Sequence, residues 1–239
     1  MLDYHNDVLT SYNSDGVILN IKKLDAEQIN VELTKIHTFD TNAKIIFNSD
    51  INLTRSEILE FAKIFLFFKN KRKLDTQIIL PETFSKDEFL SLKRDLASLG
   101  IYSKGSLKLW KQFNYPADFL NFNDYFEAGF DGVVIDIDRL AKSITGLNSE
   151  TILKDLKVDW LTTIEKFLKD FGLSKIIKSG KQVLIKGDLC QNEELLNFLI
   201  RSGVWGIAFK NNIAMKFKEH ISYLEKQTIK KLSQREVQH

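Results

Sequence analysis

Short apolar runs alternate along the chain with longer stretches in which apolar residues recur at helical spacing. Residues 15–20 (Asp15-Gly16-Val17-Ile18-Leu19-Asn20), 31–38 (Val31 to Thr38) and 44–47 (Lys44-Ile45-Ile46-Phe47) read as strands. Thr54 and Glu57 then stand at capping-box spacing, in which a hydroxyl accepts the N–H three residues on and the glutamate reaches back. The stripe Ile58, Phe61, Ala62, Phe65, Phe68 continues from there as an amphipathic helix. Gln77-Ile78-Ile79-Leu80 reads as a buried strand closed by Pro81, and Ser85 and Glu88 repeat the capping box. Phe89, Leu92, Leu96 and Leu99 carry that second helix to Gly100, a suitable C-terminal stop. The same beat predicts a strand over 106–114, a helix over 116–128 ending at Gly129, and a strand over 132–137. A long helical region over 150–178, broken near Gly172, a strand over 182–186, a helix over 193–201, a strand over 205–209 and a helix over 212–231 complete it.

Eight predicted strands, most of them followed by a helix, point to α/β architecture with parallel strands and right-handed crossovers. Eight such units in 239 residues predict a single-domain (β/α)8 TIM barrel over 1–239 rather than an open sheet. The weak point is the absence of a clear helix between the second and third predicted strands. No glycine-rich dinucleotide fingerprint, no phosphate-binding loop, no paired-histidine zinc motif and no nucleophile elbow occurs.

Composition adds limits. The apolar fraction of 44% fills a core, and the lone cysteine, Cys190, excludes an internal disulfide framework or a Cys-rich zinc site. The longest apolar run, 64–68, is far below the ~20 residues of a membrane span, and the N-terminus lacks the pattern of a secretory signal, so the expectation is a cytoplasmic protein with no membrane contact. Net charge is +2, and the segment 225–239 sets Lys226, Lys230, Lys231 and Arg235 against Glu225 and Glu236. That basic C-terminal helix end is too small for a nucleic-acid face, and its plain reading is a solvated helix end.

Leu107-Lys108-Leu109-Trp110, Asn114-Tyr115-Pro116 and Phe130-Asp131-Gly132-Val133, with Pro81, Leu140 and Gly146-Leu147, follow one another in a recognisable order. Together with Asp15-Gly16-Val17, Ile36-His37-Thr38-Phe39-Asp40 and Ile185-Lys186-Gly187, that order resembles the C-terminal barrel of the phosphoenolpyruvate-utilising enzymes, such as phosphoenolpyruvate synthase and pyruvate phosphate dikinase. The resemblance covers nearly the whole chain and is remote. It implies chemistry at the C-terminal strand ends: Mg²⁺ on a Glu and an Asp, arginines on phosphate and carboxylate, and a Cys that protonates the enolate. Position by position this chain departs from it. The metal-binding Glu is Asn114, the metal-binding Asp is Arg139, the substrate arginines are Ile21 and His37, and the proton donor is Lys186. Mg²⁺ takes carboxylate and water oxygens in near-octahedral geometry, so the family's metal site is predicted lost and no cofactor is expected. The phosphohistidine domain of the full-length enzymes has no counterpart here.

The candidate catalytic residues are Lys186, Asp138, Asp136 and His37. Asp136 and Asp138, two apart on a predicted strand, would face one way and form a relocated metal or acid–base pair. Their plain alternative is a strand end salt-bridged to Arg139 or Lys186. Lys186 is either a Schiff-base or general-base lysine or a structural ion pair with Asp138 or Asp188. His37, Asn114, Arg139 and Lys210 are the candidate substrate-binding residues, and Cys190 is either a loop thiol or an apolar filler. The expected function is a catalytically degenerate, stand-alone relative of the phosphoenolpyruvate-binding barrel, acting as a binding or interaction module. Its expected partners are a second copy, a family enzyme or a small anionic metabolite. The alternative is an active lyase or transferase on a small oxo-acid or phosphorylated metabolite.

Overall fold

β–α alternation demands parallel pairing, and the pairing found is parallel throughout. The computed structural model describes residues 2–4, 16–20, 31, 34, 44–48, 54–72, 76–82, 85–101, 107–154 and 159–236. Strands β1 (Leu2–Tyr4), β2 (Gly16–Asn20), β3 (Lys44–Asn48), β4 (Thr76–Leu80) and β5 (Lys108–Phe113) pair in sequence order as a five-stranded, all-parallel sheet. The molecule is therefore mixed α/β. It divides into two compact units, one comprising Met1–Gln112 with Asn121–Val134 and the other Phe113–Leu120 with Ile135–His239.

In the first unit, α1 (Arg55–Arg72) and α2 (Lys86–Ser98) supply the helical layer. Both capping boxes form. The Thr54 N–H donates to Glu57 Oε2 at 2.7 Å, and the Ser85 N–H to Glu88 Oε2 at 2.8 Å. The accepted hydrogen bonds hold both glutamates below the usual carboxylate range. Side chains alternate along β4: Ile78 and Leu80 pack with Phe89, Leu92 and Leu96 of α2, whereas Gln77 and Ile79 occupy the other face. Leu109 of β5 joins the same core, which is closed by the Phe89 and Phe130 rings stacked at 3.6 Å. The short helix α4 (Phe122–Ala128) ends at Gly129, whose φ of +96° is the left-handed cap that a side chain resists. Beyond it Asp131 holds β5 twice: its N–H donates to the Leu109 carbonyl and its carboxylate accepts the Leu109 N–H, both at 2.9 Å.

The second unit contains the parallel pair β7 (Gln182–Lys186) and β8 (Gly206–Lys210). Its helices are α3 (Pro116–Leu120), α5 (Ile137–Thr145), α6 (Ser149–Lys154), α7 (Trp160–Phe171), α8 (Leu173–Lys178), α9 (Glu193–Arg201) and α10 (Asn211–Glu236), with a 3-10 turn at Asp188–Gln191. Pro116 opens α3, where its missing N–H costs nothing, and Asp118 accepts the N–H groups of Asn114 and Tyr115, both at 3.0 Å. Phe119 packs edge-on against Phe113 and Phe167. The division between the units falls within β5 and within β6 (Gly132–Asp136).

Several sequence expectations are corrected here. Val31 and Thr34 are helical, so the strand expected over 31–38 fails at both, and helix stands where the β–α alternation lacked one. Two β-branched residues three apart suit one face of a helix as well as a strand. The three-residue β1 went unpredicted because Leu2-Asp3-Tyr4 is too short to show a period. The helix expected over 116–128 is two helices, α3 and α4. The sixth strand ends at Asp136 and passes straight into α5. Among the described residues no helix is long and apolar enough to cross a membrane.

Candidate functional site

The candidate acids sit where β6 becomes α5, which changes their geometry. Asp136 is the last residue of the strand and the N-cap of the helix: its Oδ1 accepts the Arg139 N–H at 3.1 Å. Asp138 and Arg139 therefore lie in the first helical turn, and the expectation that Asp136 and Asp138 share one face of a strand is wrong. The signal for this start was present. An Asp followed by Ile137, Leu140 and Ala141, all buried, is an N-cap ahead of an i, i+3, i+4 apolar stripe.

Asp138 turns toward the segment after β7. Its Oδ2 accepts the Asp188 N–H at 2.8 Å and its Oδ1 the Leu189 N–H at 2.9 Å. Gly187 makes this approach feasible. Its φ is +135°, and a Cβ there would fall 2.8 Å from Ile137 Cγ2 and 2.9 Å from Asp138 Oδ1. Burial pushes the Asp138 carboxyl above the usual carboxylate range, outweighing the two N–H donors, and the Asp136 and Asp188 charges push the same way.

Lys186 ends β7 and is nearly buried; its Nζ lies 3.8 Å from Asp136 Oδ2. This ion pair with Asp136 is the salt-bridged strand end that was the plain alternative for the two acids. Arg139 Nε lies 3.9 Å from the same carboxylate oxygen but is far more exposed, 46% against 9% for the lysine side chain. The buried pair is the energetically consequential one, because solvent screens the exposed one. Asp136 consequently serves three neighbours: the α5 amide, the lysine and the arginine.

The remaining candidates separate. Cys190 is fully buried on the 3-10 turn, and burial pushes its thiol well above its ordinary value, with Asp138, Asp136 and Asp188 adding to the effect. It is a buried side chain of the turn, and the loop-thiol alternative is overturned. Asn114 follows β5 and is fully buried. His37 lies outside the described residues. Lys210 closes β8 as a strand residue, and its side chain is outside the described set. The positions that the family resemblance assigns to Mg²⁺ carry an amide and a guanidinium, which do not suit a hard divalent cation. Among the described residues no three His, Cys, Asp or Glu side chains gather as a metal centre needs.

Sequence reasoning missed two buried carboxamides. Gln77 and Gln112 both carry amide atoms without hydrogen-bond partners among the described residues. Their signal was a polar residue at alternate spacing with apolar ones, Gln77 with Ile79 and Gln112 with Trp110. Lys111 between them is also buried, but on the opposite face, where Nζ donates to the Glu82 carbonyl and lies 5.2 Å from the centre of the Tyr125 ring. No protein-family model matches the chain, and no curated protein matches it.

Proposed function

We propose that the chain is a (β/α)8 barrel of the phosphoenolpyruvate-utilising type whose catalytic positions have been rewritten and which acts as a binding or interaction module. Sequence-ordered parallel strands, with helices between most of them, support the barrel. One observation carries the loss of catalysis: both candidate acids are committed to holding backbone. Asp136 caps α5 and balances Lys186, and Asp138 accepts two amides at once. A general acid or base needs a carboxyl that can approach substrate and exchange its proton in place. These two would have to release a helix start or a turn to do so. A second copy of the chain or a family enzyme is the partner in this reading.

A second reading has its own support. A nearly buried lysine beside a carboxylate, with a second carboxyl raised by burial nearby, is also how acid–base sites are built. In that reading Lys186 and Asp136 act on a small oxo-acid. Following phosphoenolpyruvate, pyruvate and oxaloacetate with the full chain by phosphorus and proton NMR, with and without Mg²⁺, separates the two. The module reading expects no conversion of any of them. Turnover that disappears in Lys186→Met and in Asp136→Asn would replace it with the enzyme reading.

A further inference from the structure

The helix α9 (Glu193–Arg201) carries its charges at its two ends and keeps one face open to solvent. Leu195, Leu196 and Leu199 bury its inner face, whereas Glu193, Glu194 and Arg201 are exposed and Asn197 is half-buried between them. Glu193 and Arg201 each stand four positions from Asn197, about 6 Å along the axis on either side. None of the three charged side chains makes an ion pair among the described residues. Each end is reinforced by a neighbour of the same sign. Burial, together with the Glu194 charge, pushes the carboxyl of Glu165 on α7 above the usual carboxylate range. At the other end the exposed Lys178 closes α8, where Ile177 Cγ2 would lie 4.0 Å from a Cβ at Gly203, two residues past Arg201. The signs suit the dipole of α9 itself, but that dipole gives no reason for a second carboxylate and a second cation from the neighbouring helices.

We propose that the outer face of α9 docks on the same face of a second copy of this chain, antiparallel across a two-fold axis through Asn197. A contact of that kind joins one patch to its own image, so the patch must be complementary to itself. The face of α9 meets that condition. Antiparallel pairing about residue 197 sets Glu193 of each copy opposite Arg201 of the other, twice over, and Glu165 and Lys178 add charge at the matching ends. On the axis Asn197 meets its own image, and a carboxamide both donates and accepts. Phe198 and Ile200, both half-buried, give the face apolar surface beside the charges. This names the surface for the second copy in the module reading and rests on that reading. Turnover of oxo-acids tests the module and self-association tests the surface, so the two fail separately.

Exposed ion pairs are individually weak and are screened by salt, so the dimer is reversible and salt-sensitive. The test is sedimentation equilibrium of the full chain over a range of protein concentrations, at about 0.05 M and about 0.5 M NaCl. The expected result is a monomer–dimer equilibrium at low salt that weakens at least tenfold at high salt. Arg201→Glu and Glu193→Arg each act twice in a two-fold dimer, and each should weaken self-association at least tenfold. An equimolar mixture of the two variants should restore it, because opposite charges then meet again at both ends. Should either variant fail to fold by circular dichroism, Asn197→Arg, which sets two like charges on the axis, should give the same loss. A chain that stays monomeric at low salt overturns the proposal. So does a dimer that both variants form as well as the native chain, or a mixture no more associated than its parts. Growth beyond the dimer also overturns it, in favour of head-to-tail contact between the acidic and basic ends.

Discussion

The strand ends of the two units solve the problem of buried polar groups in opposite ways. In the second unit Asp136, Asp138, Lys186 and Arg139 carry formal charge, and each has a named partner: a helix amide, two turn amides or an opposite charge. In the first unit Gln112 carries no charge and its amide N–H has no acceptor among the described residues. A charge left unpaired in a protein interior costs far more than an unpaired amide. Residues that look catalytic by type are therefore the ones the fold has most reason to neutralise. Among the described residues, carboxamides such as Gln77 and Gln112 are the groups left with an unmet requirement.

That contrast breaks first at the core that supports the first unit. Phe130→Ala removes the ring stacked on Phe89 from a fully buried site and should cost about 3–5 kcal/mol in urea unfolding. A loss under about 1 kcal/mol in that measurement would mean that the core does not hold the sheet as described. In the second unit the position to change is Gly187. Gly187→Ala places a methyl group against Ile137 and Asp138 at a positive φ, and should cost about 2–3 kcal/mol by the same measurement.

Asp138→Asn acts on the turn after β7. It leaves one of the Asp188 and Leu189 amides facing an NH₂ group and should cost about 1–3 kcal/mol. The pH dependence has a definite sign. The folded Asp138 carboxyl titrates above its ordinary value of 3.8, so the folded state holds this proton more tightly than the unfolded chain. The resulting stabilisation is complete below the ordinary value and lost as pH rises through the raised one. The stability advantage of the native chain over the Asp138→Asn variant should accordingly be largest in acid and shrink toward neutrality. Unfolding curves of both proteins across that range check it, and an advantage that grows with pH would reverse the assignment. The smallest effect belongs to Arg139→Ala, which removes an exposed partner at 3.9 Å and should change stability by no more than about 0.5 kcal/mol.

What was legible in the sequence depended on the range of the cause. Both capping boxes are local, four-residue events, and both formed. The β4 and β7 strands had uninterrupted apolar runs and were readable within a residue. Asp136 was misread because the strand and the helix meet there without a loop: its neighbours fit a strand on one side and a helix on the other. The grip of Asp138 on the amides of residues 188 and 189 spans fifty positions, and only the fold brings them together. Gln112 carried a local signal, its alternation with Trp110, but nothing local shows that an amide lacks an acceptor.

The proposed reading makes the charged strand-end cluster structural. It is tested most directly by a double-mutant cycle on Asp136 and Lys186, read as unfolding free energy. Asp136→Asn and Lys186→Met should each destabilise by about 1–3 kcal/mol, because each strands a largely buried partner, and the double substitution should recover part of the loss. Catalytic groups are held at the expense of stability, and removing them commonly raises it. Single substitutions that leave the protein as stable as before or more so, with no coupling between them, would rule out a structural role for the pair.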